Sequence, residues 1–207
     1  MHRLGILLSG RGSNFLAIHR AIAEGRIPNT EIAVVLSNKP DAPGLDAARS
    51  LGLKALAIPQ EGKGPEARAA HDARMIAALQ EAGIDLVCLA GYMRIITPAF
   101  VAAFPNRILN VHPSLLPAFP GLDAQHQAFD YGAKVAGCTV HFVDEAVDHG
   151  VIILQKTVPV LDEDTAETLS ARILVEEHIA YAEAIARVLS GEYRIEGRHF
   201  LKQAGTF

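Results

Sequence analysis

Cysteine is nearly missing from this chain. Cys88 and Cys138 are the two present in 207 residues, far apart and each set in an apolar run. That pattern excludes a disulfide-stapled scaffold and offers no CxxC motif, and it fits two buried free thiols in a reducing compartment. A basic excess is lacking too. The net charge is −4 and the pI about 6.1, which argues against binding to nucleic acid or to an anionic membrane surface. Long hydrophobic runs are absent: the opening "MHRLGILLSGRG" holds only a few apolar residues before its glycines. This is too short for a signal peptide or a membrane span. Internal repeats and low-complexity linkers are also missing. The expectation is one soluble, cytoplasmic domain, half hydrophobic by composition and large enough to bury a substantial core.

Apolar runs alternate with helical patterns along the chain. Strands are expected at Leu4 to Leu8, Glu31 to Leu36, Lys54 to Ile58, Asp85 to Ala90 and Arg107 to Val111. Helices are expected at Ser13 to Glu24, Pro43 to Leu51, Pro65 to Ala82 and Pro98 to Ala103, with prolines at starts and glycines at ends. Continuous apolar strands separated by helices predict a parallel sheet covered on both faces. The second half differs. Cys138 to Val143 and Val151 to Val158 are joined by a short acidic link, which predicts antiparallel neighbours. Thr165 to Leu189 reads as a long helix, followed by a short polar-mixed tail from Gly191.

Two places carry chemistry. The first is "SGRGSN", Ser9 to Asn14, between the first strand and the first helix. Glycines let backbone approach a ligand, and a helix N-terminus favours an anion, so a phosphate is the natural guest. Phe15 stands where a dinucleotide fingerprint has its last glycine, and no P-loop lysine follows, so a single mononucleotide or sugar phosphate fits better. The blander alternative is a tight turn with Ser13 or Asn14 capping the helix.

The second is "ILNVHPSLLP", Ile108 to Pro117. Side chains alternate along a strand, so Asn110 and His112 share one face. They also lie at the C-terminal strand end, where open α/β sheets bind ligands, and Pro113 takes the chain out of the sheet directly afterwards. An amide and an imidazolium suit an oxygen gaining negative charge. The imidazolium needs a carboxylate nearby, and Asp144, Glu145 and Asp148 are the candidates. His141, Asp144, Asp148 and His149 match no strong zinc spacing, and no metal is expected.

The segments "SGRGSN", "LAGYMRII", "NVHPSLLP", "FPG" and "CTVHFVDEAVDHG" together resemble the folate-dependent phosphoribosylglycinamide formyltransferases, in order from about Leu4 to Leu189. The resemblance implies a Rossmann-like formyltransferase fold: a mostly parallel twisted sheet of about seven strands, one late antiparallel strand, and helices on both faces. It implies a single domain over 1–207, with residues 1–111 holding phosphate and residues 112–207 completing a folate pocket. It implies 10-formyltetrahydrofolate as co-substrate and the amine of glycinamide ribonucleotide as acceptor, in a monomer or homodimer. The residues that match the family's catalytic trio are Asn110, His112 and Asp148. Gly12, Ser13 and Asn14 match its phosphate loop and Glu177 a ribose contact. Arg68, Met93, Arg94, Ile95, Ile96, Val143 and Asp144 match its folate contacts, within a loop running to Asp148. Without the resemblance, Met93 and its neighbours would be core, Arg68 a solvated helix face and Glu177 a surface charge.

Two positions depart from the pattern: Ala118 where a lysine or serine is commoner, and His126 later than the family's usual histidine. The rivals are a 10-formyltetrahydrofolate hydrolase, expected to carry an extra N-terminal domain, methionyl-tRNA formyltransferase, expected to carry a C-terminal RNA-binding domain, and a phosphate-binding module without catalysis.

Overall fold

A computed structural model of the chain describes residues 1–203. Its nucleus is β1 (His2–Leu8), in which Leu4, Ile6, Leu7 and Leu8 are wholly buried. Each such side chain contributes about 1.5–3 kcal/mol of burial. Gly5 interrupts the run for a steric reason. A Cβ there would stand 2.4 Å from Leu79 Cδ2 and 3.3 Å from Ile84 Cγ2, so the side chains packed on this strand would have to shift for a larger residue. The other strands and helices of the first compact unit, Met1–Leu109, follow in alternation. They are α1 (Ser13–Ala23), β2 (Thr30–Ser37), α2 (Pro43–Ser50), β3 (Ala55–Ala57), α3 (Pro65–Glu81), β4 (Leu86–Leu89) and α4 (Pro98–Ala103). β2 and β4 flank β1 in parallel, with Leu4 opposite both Ile32 and Leu86, and β3 extends the sheet beyond β2. α1 buries Phe15, Ile18 and Ala21, spaced along one helical face. Proline opens α2, α3 and α4, where the missing N–H costs nothing.

β5 (Ile108–His112) leads into the second unit, Asn110–Phe207. There α5 (Ala124–Asp130) precedes β6 (Val135–Phe142) and β7 (Ile152–Pro159), which pair antiparallel with a register shift between Val140 and His141. Gly137 is obligatory in this pairing, because a Cβ would stand 2.0 Å from the Lys156 carbonyl oxygen. α6 (Ala166–Leu189) begins in a capping box of Thr165 and Thr168 and buries Ala180, Tyr181, Ala184 and Ile185. Asp164, just ahead of it, takes a two-pronged bond from Arg172 at 2.7 Å, which holds its carboxyl well below the usual carboxylate range. A hairpin of β8 (Tyr193–Glu196) and β9 (His199–Lys202) follows, with Tyr193 stacked on Phe200 at 4.6 Å.

The main sheet has seven strands in the order β3-β2-β1-β4-β5-β6-β7. This is the expected mostly parallel sheet with one antiparallel pair. Two features differ from the sequence expectation. The polar-mixed tail is a hairpin, turned at Gly197 with φ +58°, and the segment after "FPG" holds the short α5. Both are too short to show a clear period. Among the described residues no helix is long and apolar enough to cross a membrane.

Both cysteines are fully buried. Burial, and secondarily the charge of Glu177, pushes the Cys138 thiol up to about 12. A disulfide-exchange reagent with a chromogenic leaving group will therefore find no reactive thiol at pH 8 until denaturant is added. Release of one equivalent within minutes from native protein would contradict this.

Candidate active site

β5 ends as Pro113 requires, and its last residues present Asn110 and His112 on one side. Thr139 of β6 fixes what comes next. Its hydroxyl donates to the Ser114 carbonyl (2.7 Å) and accepts from Leu116 N–H (3.0 Å) and from Gln155 Nε2 (2.9 Å). Ser114 in turn donates to the Ala118 carbonyl at 2.5 Å, so the position that departs from the family pattern acts here through its backbone. The chain then folds back so that Phe119, at φ +52°, offers its carbonyl oxygen to His112 Nε2 at 2.8 Å.

Asp148 completes the arrangement. Its backbone is left-handed, φ +50°, a conformation that costs an ordinary residue about 1 kcal/mol or more. Its side chain is nearly buried, and one oxygen accepts from Gly121 N–H (2.8 Å) and lies 3.3 Å from His112 Nδ1. The other oxygen lies 3.8 Å from His141 Nε2. His141 Nε2 also receives Asn110 Nδ2 at 3.4 Å, so four side chains stand in series: Asn110, His141, Asp148, His112.

The two histidines meet different partners. His141 Nδ1–H donates to the Phe142 carbonyl at 2.7 Å, and burial lowers its pKa, so it is neutral and its Nε2 is an acceptor. His112 faces acceptors at both nitrogens, the Phe119 carbonyl at 2.8 Å and the Asp148 carboxylate at 3.3 Å. Of the three carboxylates open on sequence, Asp148 is the one beside His112, whereas Asp144 pairs with His149 at 2.8 Å. His141 entered the sequence analysis only within an unconvincing metal set. Its signal was visible: Thr139 and His141 are alternate polar residues in an otherwise apolar strand, the same pattern as Asn110 and His112. Among the described residues no group of three His, Cys, Asp or Glu could hold a metal ion.

The remaining expected residues divide between the two units. In the first unit, Gly12 is itself the N-cap of α1, at φ +75°, and no side chain caps the helix, contrary to capping by Ser13 or Asn14. A Cβ on Gly12 would stand 3.2 Å from the Gly44 Cα, so glycine is needed for fit as well as for its angle. Ser9 ties this loop to the 92–97 segment by accepting from Met93 N–H at 2.9 Å, and to the end of β2 by donating to Asn38 at 2.6 Å. Met93 and Ile95 are 68% and 59% exposed, so they are not core. Arg94 donates to Gln60, and Asp72 of α3 anchors the end of the segment by accepting from Thr97 N–H at 2.8 Å. Ile96 is half-buried, whereas Arg68, one turn before Asp72 on α3, is exposed. In the second unit, Val143 and Asp144 open the loop to Asp148, and Glu177 is buried on α6 rather than on the surface.

A model of the formyl transferase family matches residues 2–185. The chain belongs to the formyl transferase family. It is 41% identical over 189 residues to the phosphoribosylglycinamide formyltransferase of Bacillus subtilis, covering 91% of this chain and 95% of that protein. It is 44% identical over 195 residues to the human trifunctional purine biosynthetic protein adenosine-3, covering 93% of this chain but 19% of that one. Against the Drosophila melanogaster trifunctional protein the chain spans 14% of the relative's length. The crystal structure of glycinamide ribonucleotide transformylase 1 from Symbiobacterium toebii matches with TM-score 0.94 at 53% identity, over 99% of this chain and 95% of that one.

The neutral state of His141 makes this formyl transferase's stability pH-dependent. The unfolded histidine takes a proton near pH 6.5, whereas the folded one resists it until lower pH. Its contribution is therefore complete above about pH 6.5 and lost as the pH falls through and below that value. The unfolding free energy in urea will fall between pH 7.5 and 5.5 more steeply for the wild type than for His141→Gln. Equal slopes would refute a neutral His141.

Proposed function

We propose that this formyl transferase moves the formyl group of 10-formyltetrahydrofolate to the primary amine of 5'-phosphoribosylglycinamide, a step of purine synthesis. The observation that carries the reading is the series of Asn110, His141, Asp148 and His112, an amide and an imidazole beside a carboxylate with no nucleophilic serine or cysteine among them. The Bacillus subtilis relative, matched over nearly its full length, bears the corresponding name. The folate is a co-substrate, and the chemistry asks for no metal.

The acceptor is an α-amine with a pKa of about 8, so a useful fraction is neutral near pH 7. It attacks the formyl carbon directly; a C–N bond forms and the carbonyl oxygen becomes an oxyanion. Asn110 spends one of its two Nδ2–H donors on His141, which leaves the other for the oxyanion. His112 supplies positive charge beside it. Its Nε2–H rests on a neutral carbonyl, and a charged oxygen competes for that proton because charge-assisted bonds are roughly twice as strong. Asp148 holds the imidazolium and accepts the proton that the attacking nitrogen sheds; the departing folate nitrogen takes up a proton as its C–N bond breaks. The oxygen that takes this proton is the one facing His141, 3.8 Å from its Nε2, rather than the one held by the Gly121 N–H.

In this reading Gly12, Ser13 and Asn14 take the substrate phosphate, with Glu177 on its ribose. Arg68, Met93, Arg94, Ile95, Ile96, Val143 and Asp144 take the folate. Holding two substrates in register supplies much of the rest of the acceleration. The protein is expected to work in the cytoplasm.

The deciding experiment follows formyl transfer from 10-formyltetrahydrofolate with the glycinamide ribonucleotide present and with water alone. Transfer to the amine, with negligible hydrolysis, is expected. Hydrolysis at the same rate without the amine would identify a hydrolase, and no turnover a binding module. Within the active enzyme, Asn110→Ala is expected to lower kcat by about 10²–10³. Asp148→Asn should lower kcat far more than it raises either KM, and a near-normal kcat would remove Asp148 from the mechanism.

A further inference from the structure

The loop that carries Asp148 is irregular and largely exposed, yet it holds a left-handed aspartate. Such backbone persists only where its surroundings over-determine it. On one side the determinant is Gly150, wedged so that a Cβ would stand 1.7 Å from the Phe142 carbonyl oxygen. On the other side it is the β8–β9 hairpin, which lies beyond the residues matched by the family model. Tyr193 and Phe200 of the hairpin meet the Phe142 ring at 6.2 and 6.3 Å, directly before the loop begins. From the hairpin turn, Arg198 donates to the His149 carbonyl and reaches His149 Nε2 at 3.2 Å. A guanidinium only donates, so Nε2 accepts, and the Nδ1–H of the same ring donates to Asp144 at 2.8 Å. His149 is bonded at both ring nitrogens and at its carbonyl. It immediately follows Asp148 in the chain.

We infer that Arg198 is a positioning residue for the formyl transfer: through His149 it clasps both ends of the 144–149 loop and holds the Asp148 carboxylate against His112. The inference rests on the function proposed above. Its physical content is local. Both partners are exposed, the His149 side chain by 58% and that of Asp144 by 43%, so the clasp adds little to global stability. It acts on where Asp148 sits. A displacement of about 1 Å at a reacting group costs on the order of 10²-fold in rate.

The test compares wild type with Arg198→Ala, His149→Ala, the double variant and Arg198→Lys. Each alanine variant is expected to lower kcat/KM for the formyl donor by at least about tenfold. KM for the amine substrate should stay at the wild-type value and the melting temperature within about 2 °C of it. The double variant should be no slower than the slower single variant, because both break one connection. Arg198→Lys, which keeps a donor for the His149 carbonyl, should recover part of the loss. Hydrogen exchange at residues 143–149 should quicken in the alanine variants. Wild-type kcat/KM in Arg198→Ala, or losses that multiply in the double variant, would overturn the clasp, as would activity that falls only in step with melting temperature. Should the wild type itself transfer no formyl group, the proposed function fails. The exchange measurement still decides the clasp, and unchanged exchange at 143–149 in Arg198→Ala sinks it.

Discussion

The carboxylate of Asp148 is the group on which the candidate site turns. One oxygen serves a backbone N–H and a histidine that faces acceptors on both sides; the other faces a histidine that burial keeps neutral. A charge nearly removed from water must be matched by donors or by an opposite charge, or it is driven to neutrality. Here it is matched on one side and left open on the other. The unmatched side suits a group that takes up and releases a proton.

The surrounding architecture serves that balance. Thr139 locks the chain after His112 with two hydrogen bonds and Gln155 adds a third at the Leu116 carbonyl, so the Phe119 carbonyl and the Gly121 N–H arrive at fixed places. Gly137 lets β7 approach β6 closely, and the register shift at His141 sets the side chain that meets both Asn110 and Asp148. These contacts have no catalytic chemistry of their own. They fix angles and distances for groups that do, which is how rigid strand ends position a reacting constellation.

The first unit shows the same division between scaffold and presentation. Buried β1 and its parallel neighbours supply the stability, and the segments after β1 and β4 are held by a few polar ties. Ser9 links those two segments, and Asp72 secures the second at Thr97. Met93 and Ile95 are then left in the open, an arrangement that costs burial and has no role in the core.

Much of this was legible in the residues themselves. Parallel strands followed from continuous apolar runs, and the antiparallel pair from its short connection. The pairing of Asn110 with His112 followed from a two-residue period, because alternation along a strand is a property of the backbone alone. The same rule would have singled out His141, had Thr139 and His141 been read as a pair. Tertiary structure decided what periodicity cannot express. It chose Asp148 over Asp144 as the partner of His112, buried Glu177 and exposed Met93, and turned a polar tail into a hairpin that reaches His149. The reason is physical: covalent spacing determines which face a side chain takes within its own element, whereas the partner it meets depends on how separate segments, dozens of residues apart, are brought together by packing.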